Sequence, residues 1–181
     1  MNCWKSININ KEFGMNRIYI SSFLSGLMTF VFLYVPFSII HGSTNVNEFG
    51  IFPFTAALIL LPVIHTFMHI LPLIMLKKRS KFNYRLKNKI KPSFTYYPNA
   101  YLSKPVSLLV ALAPTLFITV PGLIASYLFQ DFYVYILLFT SIHIGFSFMD
   151  FLYVIHIVKA PKKAFIENGK GGFDILVKAQ N

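Results

Sequence analysis

His65 and His69 stand four residues apart inside an apolar stretch, a spacing that sets both imidazoles on one helical face a single turn apart. Histidines placed this way can ligate one metal ion, or they can hydrogen-bond to each other and to nearby hydroxyls. Asp150, in a second apolar stretch, weighs on that choice. An ionised carboxylate at membrane depth costs at least ~3 kcal/mol unless it finds a partner, and none of the apolar stretches contains Lys or Arg. The partners left to Asp150 are histidines, hydroxyls, a bound cation, or the proton that neutralises it. His143, Ser147 and Asp150 form a stripe along one helical face, which is expected to look inward. Two imidazoles and a carboxylate supply three ligands of a tetrahedral Zn²⁺ and leave the fourth position open, as catalytic zinc sites do. The alternative is a buried polar cluster in which Asp150 bonds His65, His69 or Ser147 and ties two helices together.

Hydropathy defines the elements that must position these groups. A helix crosses a bilayer with ~20 apolar residues. Residues 18–40, 51–76 and 106–129 contain no Asp, Glu, Lys or Arg, and 132–158 contains one acid, Asp150. The expected fold is therefore an all-α integral membrane protein, a single domain over residues 1–181 with four transmembrane helices. All seventeen Lys and Arg lie in three groups: before residue 18, between residues 77 and 104, and from Lys159 onward. Basic segments stay on the cytoplasmic side, so both termini, the loop 77–105 and the tail 159–181 are expected there, in a multi-pass protein of the cell membrane. The net charge of +11 then reads as topology and as attraction to anionic lipid headgroups of the bilayer, not as nucleic-acid binding. No small-residue cleavage pattern follows the first stretch, which is expected to persist as a span. Cys3, the single cysteine, forms no internal disulfide.

In this topology the second and fourth spans run parallel. His69 lies seven residues before Leu76 and Asp150 eight before Val158, which puts both ~10–12 Å inside the cytoplasmic boundary. Pro114 and Pro121 are expected to bend the third span. The polar cluster 42–47 reads as a turn. In the loop between the second and third spans the basic half reads as solvated. Phe94, Thr95, Tyr96 and Tyr97, followed by Pro98-Asn99 and Tyr101-Leu102, read either as a short β-hairpin or as an interfacial aromatic belt. Asp174 to Lys178 reads as a short strand, with the aromatic loop as a pairing partner.

The segment Ile64-His65-Thr66-Phe67-Met68-His69-Ile70-Leu71-Pro72, the later Ser147-Phe148-Met149-Asp150 and the tail Ala160-Pro161-Lys162-Lys163-Ala164-Phe165-Ile166-Glu167 resemble a bacterial membrane family of "putative zincin peptidases", similar in outline to site-2 proteases. The resemblance spans residues 54–173 and rests on the order and spacing of the pieces. It implies His65, His69 and Asp150 as ligands of zinc and cleavage of a membrane peptide or protein near the cytoplasmic face. From the stripe they share with Asp150, His143 and Ser147 are candidate outer partners of the centre, with His143 expected to bond along its own helix. Phe94 to Tyr97 would offer edge pairing to an extended substrate. Motifs of the H-E-x-x-H type place a glutamate after the first histidine to take a proton from the attacking water; here that position is Thr66. General-base catalysis is typically worth ~10²–10⁴-fold. The expected activity is a zincin-like intramembrane metallopeptidase that is impaired or inactive. The alternatives are a non-catalytic membrane protein that binds or regulates a partner, and a transporter of a small ion or solute, suggested by the polar stripe and the bent third span.

Overall fold

A computed structural model describes residues 1–42, 47–76, 80–86, 92–98, 101–169 and 172–178. Of the polar turn cluster, residues 43–46 lie outside the described residues, as does Asn99 of the aromatic loop. Strand β1 (Asn2–Ile7) leads to the short helix α1 (Ile9–Phe13), capped by the Asn8 carboxamide, which accepts from Lys11 N at 3.1 Å. Gly14, at φ 79°, lets the chain turn from α1 into α2 (Met15–His41). Then come α3 (Ile51–Met75), the strands β2 (Ser80–Leu86), β3 (Pro92–Pro98) and β4 (Leu102–Ser103), and the helices α4 (Lys104–Pro114) and α5 (Val120–Leu128). Helices α6 (Tyr133–Phe146) and α7 (Phe148–Val158) and strands β5 (Phe165–Gly169) and β6 (Gly172–Val177) complete the chain.

Three helical passes are long and apolar enough to cross a membrane: Met15–His41, Glu48–Met75 and Lys104–Leu128. Helices α6 and α7, bent by 49° to each other, are together apolar enough for a fourth if the pair is one broken span. The single helix expected over 132–158 is thus corrected to two, α6 and α7. The break falls at Ser147, two residues after Gly145, with no proline involved; paired Gly and Ser positions are among the known causes of sharp kinks. In the third pass the irregularity expected from Pro114 and Pro121 takes the form of a π turn over Thr115–Thr119.

Helix α6 packs between α2 and α5, while α3 and α7 both pack on α4. The α2 and α6 backbones approach closely where Gly26 meets Gly145: a Cβ added at Gly145 would sit 2.7 Å from the Ser22 carbonyl oxygen.

The all-α expectation is corrected at one end of the bundle by a four-stranded antiparallel sheet of order β1-β6-β5-β4. The strand expected at Asp174–Lys178 is present as β6, but it pairs with β1 and β5 and not with the aromatic loop. Ile7, Ile166, Phe173 and Ile175 from this sheet bury against Ile18 and Ile157, so the sheet seals the ends of α2 and α7. A separate two-stranded sheet pairs β3 with β2, with Thr95 opposite Asn83 and Tyr96 opposite Phe82. The hairpin partner of the aromatic segment is therefore the basic half of the loop, read from the sequence as solvated. Leu102 instead joins the four-stranded sheet opposite Ile166.

Candidate metal centre

Helix α3 carries His65 and His69 on one face, and their Nε2 atoms lie 3.2 Å apart. The break at Ser147 starts a new helix whose first turn holds Asp150, where the positive end of the helix dipole favours a carboxylate. Asp150 reaches across to α3 and presents one oxygen to each imidazole: Oδ2 lies 3.2 Å from His65 Nε2 and Oδ1 3.4 Å from His69 Nε2. Ligand atoms of all three residues fall within 4.8 Å of one another. Ligands ~2.0–2.1 Å from a tetrahedral zinc are separated by about 3.3 Å; the two imidazole nitrogens, 3.2 Å apart, match that edge, and each Asp150 oxygen lies at a similar distance from one of them.

Proton placement supports the same reading. His69 Nδ1 lies 2.8 Å from the Val110 carbonyl oxygen. A carbonyl can only accept, so Nδ1 carries the hydrogen and, in a neutral ring, Nε2 is a bare lone pair. That lone pair points at a carboxylate and at a second imidazole nitrogen. Acceptors converging in this way need a cation or a proton between them. The donor set of two imidazoles and one carboxylate suits zinc.

A comparison with protein families matches residues 58–165 to the family described as "Putative zincin peptidase". The chain belongs to this family. No curated protein and no solved structure matches it. The matched region runs from α3 to the start of β5 and contains every residue of the centre. Membership of a zincin family implies zinc, and the three side chains brought together here are those fitted to hold it.

The His65–His69–Asp150 cluster faces a cavity of about 700 Å³ between α2 and the α6–α7 pair. His65 and Asp150 lie at its wall, with Phe23, Phe30, Ile142 and Met149 among the apolar side chains that line the rest. The Phe146 ring stands edge-on to His65, 4.9 Å between centroids, and closes the site on the α6 side.

The remaining sequence candidates fall in different places. Thr66 sits next to His65 on α3, and its hydroxyl donates to the Pro62 carbonyl of its own helix at 2.8 Å. His143 was expected to bond along its own helix. Its contact with Ser147 Oγ is long, 3.5 Å, and its shorter contacts leave the helix: Nε2 lies 3.2 Å from His65 Nδ1, and Nδ1 lies 2.9 Å from Thr119 Oγ1. Phe94, Thr95, Tyr96 and Tyr97 lie on β3, one edge of which is occupied by β2. Sequence reasoning missed Val110, because a backbone carbonyl has no signature in residue type. It also missed Thr119, although the flanking prolines marked that stretch as irregular.

Proposed function

We propose that this chain is a four-pass membrane protein with both termini and the basic loop on the cytoplasmic side, built around a zinc site of His65, His69 and Asp150 near the cytoplasmic face. Peptide hydrolysis at this site is crippled by Thr66. Membrane insertion is supported by the outward faces of the helices: Phe32 and Ile39 on α2 and Phe52 and Ile59 on α3 are all more than 65% exposed, a density of apolar side chains that lipid accommodates and water does not. Orientation is supported by the confinement of Lys and Arg to one set of loops.

The observation that carries the functional reading is the grouping of the His65 and His69 Nε2 atoms and the Asp150 carboxylate beside an apolar cavity, with ligand atoms of all three within 4.8 Å of one another. Zinc held there supplies Lewis-acid polarisation of a peptide carbonyl. The chain supplies the rest. The cavity between α2 and α6 receives apolar substrate side chains, and Asp150 and His65 mark the wall at which the scissile bond would sit. Thr66 supplies no base, since a neutral hydroxyl is too weakly basic to take a proton from water near neutral pH; its own hydrogen is donated to the Pro62 carbonyl.

The same residue favours the second reading, a non-catalytic relative that uses the cavity to bind a membrane partner. Thr66→Glu separates the two. With the full chain reconstituted in vesicles beside an apolar membrane-peptide substrate, the expected result is a gain in cleavage of between ~10²- and 10⁴-fold, the usual worth of a general base. Unchanged background cleavage in a zinc-loaded Thr66→Glu protein would overturn the hydrolytic reading and leave the binding one.

A further inference from the structure

The two metal-facing imidazoles are oriented by different means. His69 is fixed by a backbone carbonyl, which no substitution at Val110 removes. His65 has no such anchor among the described residues; its Nδ1 meets His143 Nε2 at 3.2 Å. His143 is fully buried on α6, and its other nitrogen meets Thr119 Oγ1 at 2.9 Å. Thr119 is also buried and is the last residue of the π turn, so the irregularity between Pro114 and Pro121 brings this hydroxyl to the α6 histidine. The contacts form one file, from Thr119 through His143 to His65 and on to Asp150.

We infer that His143 and Thr119 are positioning residues for the zinc site: together they hold His65 with its hydrogen on Nδ1 and its Nε2 lone pair toward Asp150. This rests on the metal-site reading given above. The hydrogen-bond balance along the file is consistent throughout. If His65 Nδ1–H donates to His143 Nε2, a neutral His143 carries its hydrogen on Nδ1 and donates it to Thr119 Oγ1. Each nitrogen then has one role, and His65 Nε2 is left as a ligand, equivalent to His69 Nε2. Without His143 an imidazole at residue 65 is free to rotate or to hold its hydrogen on the nitrogen that should bind metal. Partners that fix a ligating histidine in this way are typically worth ~10–100-fold in metal affinity.

The test uses the full chain in detergent, zinc alone as the probe, and competition against a chelator of known affinity. His143→Leu is expected to weaken zinc binding ~10–100-fold, whereas His143→Gln, whose carbonyl accepts from His65 and whose amide donates to Thr119, is expected to stay within a few-fold of the parent. Thr119→Val should fall between them, and Thr119→Ser should match the parent. The zinc-induced rise in Tm, read as an increment over each variant's own metal-free value, separates positioning from loss of folding. Parent-like affinity in His143→Leu would overturn the inference, and so would His143→Gln being as weak as His143→Leu. A parent protein that binds no zinc would instead remove the metal-site reading itself. Should His143→Leu fail to fold, the Thr119 pair decides the same question: weakened binding in Thr119→Val with parent-like binding in Thr119→Ser upholds the positioning role, and parent-like binding in both overturns it.

Discussion

Two buried histidines at different levels of the bundle, His41 at the end of α2 and His65 inside α3, are equally inaccessible at 7% exposure, so burial does not tell them apart. Each has one nitrogen directed at a partner that orients it: His41 Nε2 lies 3.0 Å from the Ser126 carbonyl, and His65 Nδ1 meets His143. The difference lies in what the second nitrogen faces. His41 Nδ1 has no hydrogen-bond partner among the described residues, and aromatic rings pack beside the imidazole, Tyr133 at 4.8 Å between centroids. His65 Nε2 faces an imidazole nitrogen and a carboxylate. A histidine becomes a candidate ligand through the company of its second nitrogen, and the inner site has a carboxylate where the outer one has rings.

The largest effect expected from this contrast is on zinc-dependent stability. A ligand held at 1,000 times its Kd stabilises a protein by ~4 kcal/mol. Asp150→Asn is expected to abolish the zinc-induced rise in Tm, and His41→Phe to preserve it. A rise retained in Asp150→Asn would mean that the two sites do not differ in the way described. A smaller effect follows at the wall of the inner site. Gly145→Ala puts a methyl 2.7 Å from the Ser22 carbonyl oxygen and is expected to cost ~1–3 kcal/mol by overpacking. Because α6 and α2 border the cavity, zinc affinity should fall as well. His41→Phe leaves the Ser126 carbonyl without its donor, at a comparable ~1–3 kcal/mol, yet zinc affinity should hold. Unfolding midpoints and chelator competition measured on this pair give matched stability losses with opposite consequences for metal. Equal loss of zinc binding in both would erase the distinction between the two sites.

Much of the inner site was legible in the sequence because it rests on strong local signals. The i, i+4 spacing puts His65 and His69 on one face whatever the tertiary fold, and a lone acid in an apolar stretch must find partners. The helical passes were equally legible, since uninterrupted apolar length needs no tertiary information. What escaped depends on non-local pairing or on backbone. Nothing near Asn2–Ile7 announces that it will pair with Gly172–Val177, which lies more than 160 residues away along the chain. The basic segment Ser80–Leu86 is a strand paired with β3, and its composition does not announce that partner. The break at Ser147 has no proline to mark it, yet it creates the helix end on which Asp150 sits. Val110 acts through its carbonyl, which residue type does not reveal, and Thr119 reaches His143 from a π turn whose register the prolines alone do not set.

The most direct measurement is the zinc content of the purified full chain by elemental analysis, beside His65→Ala, His69→Ala and Asp150→Ala. Convergence of these three side chains on one ion predicts about one zinc per chain in the parent, in keeping with a single tetrahedral site, and almost none in each variant. A parent without zinc, or variants that keep it, would contradict the account and return the three residues to the task of holding α3 and α7 together.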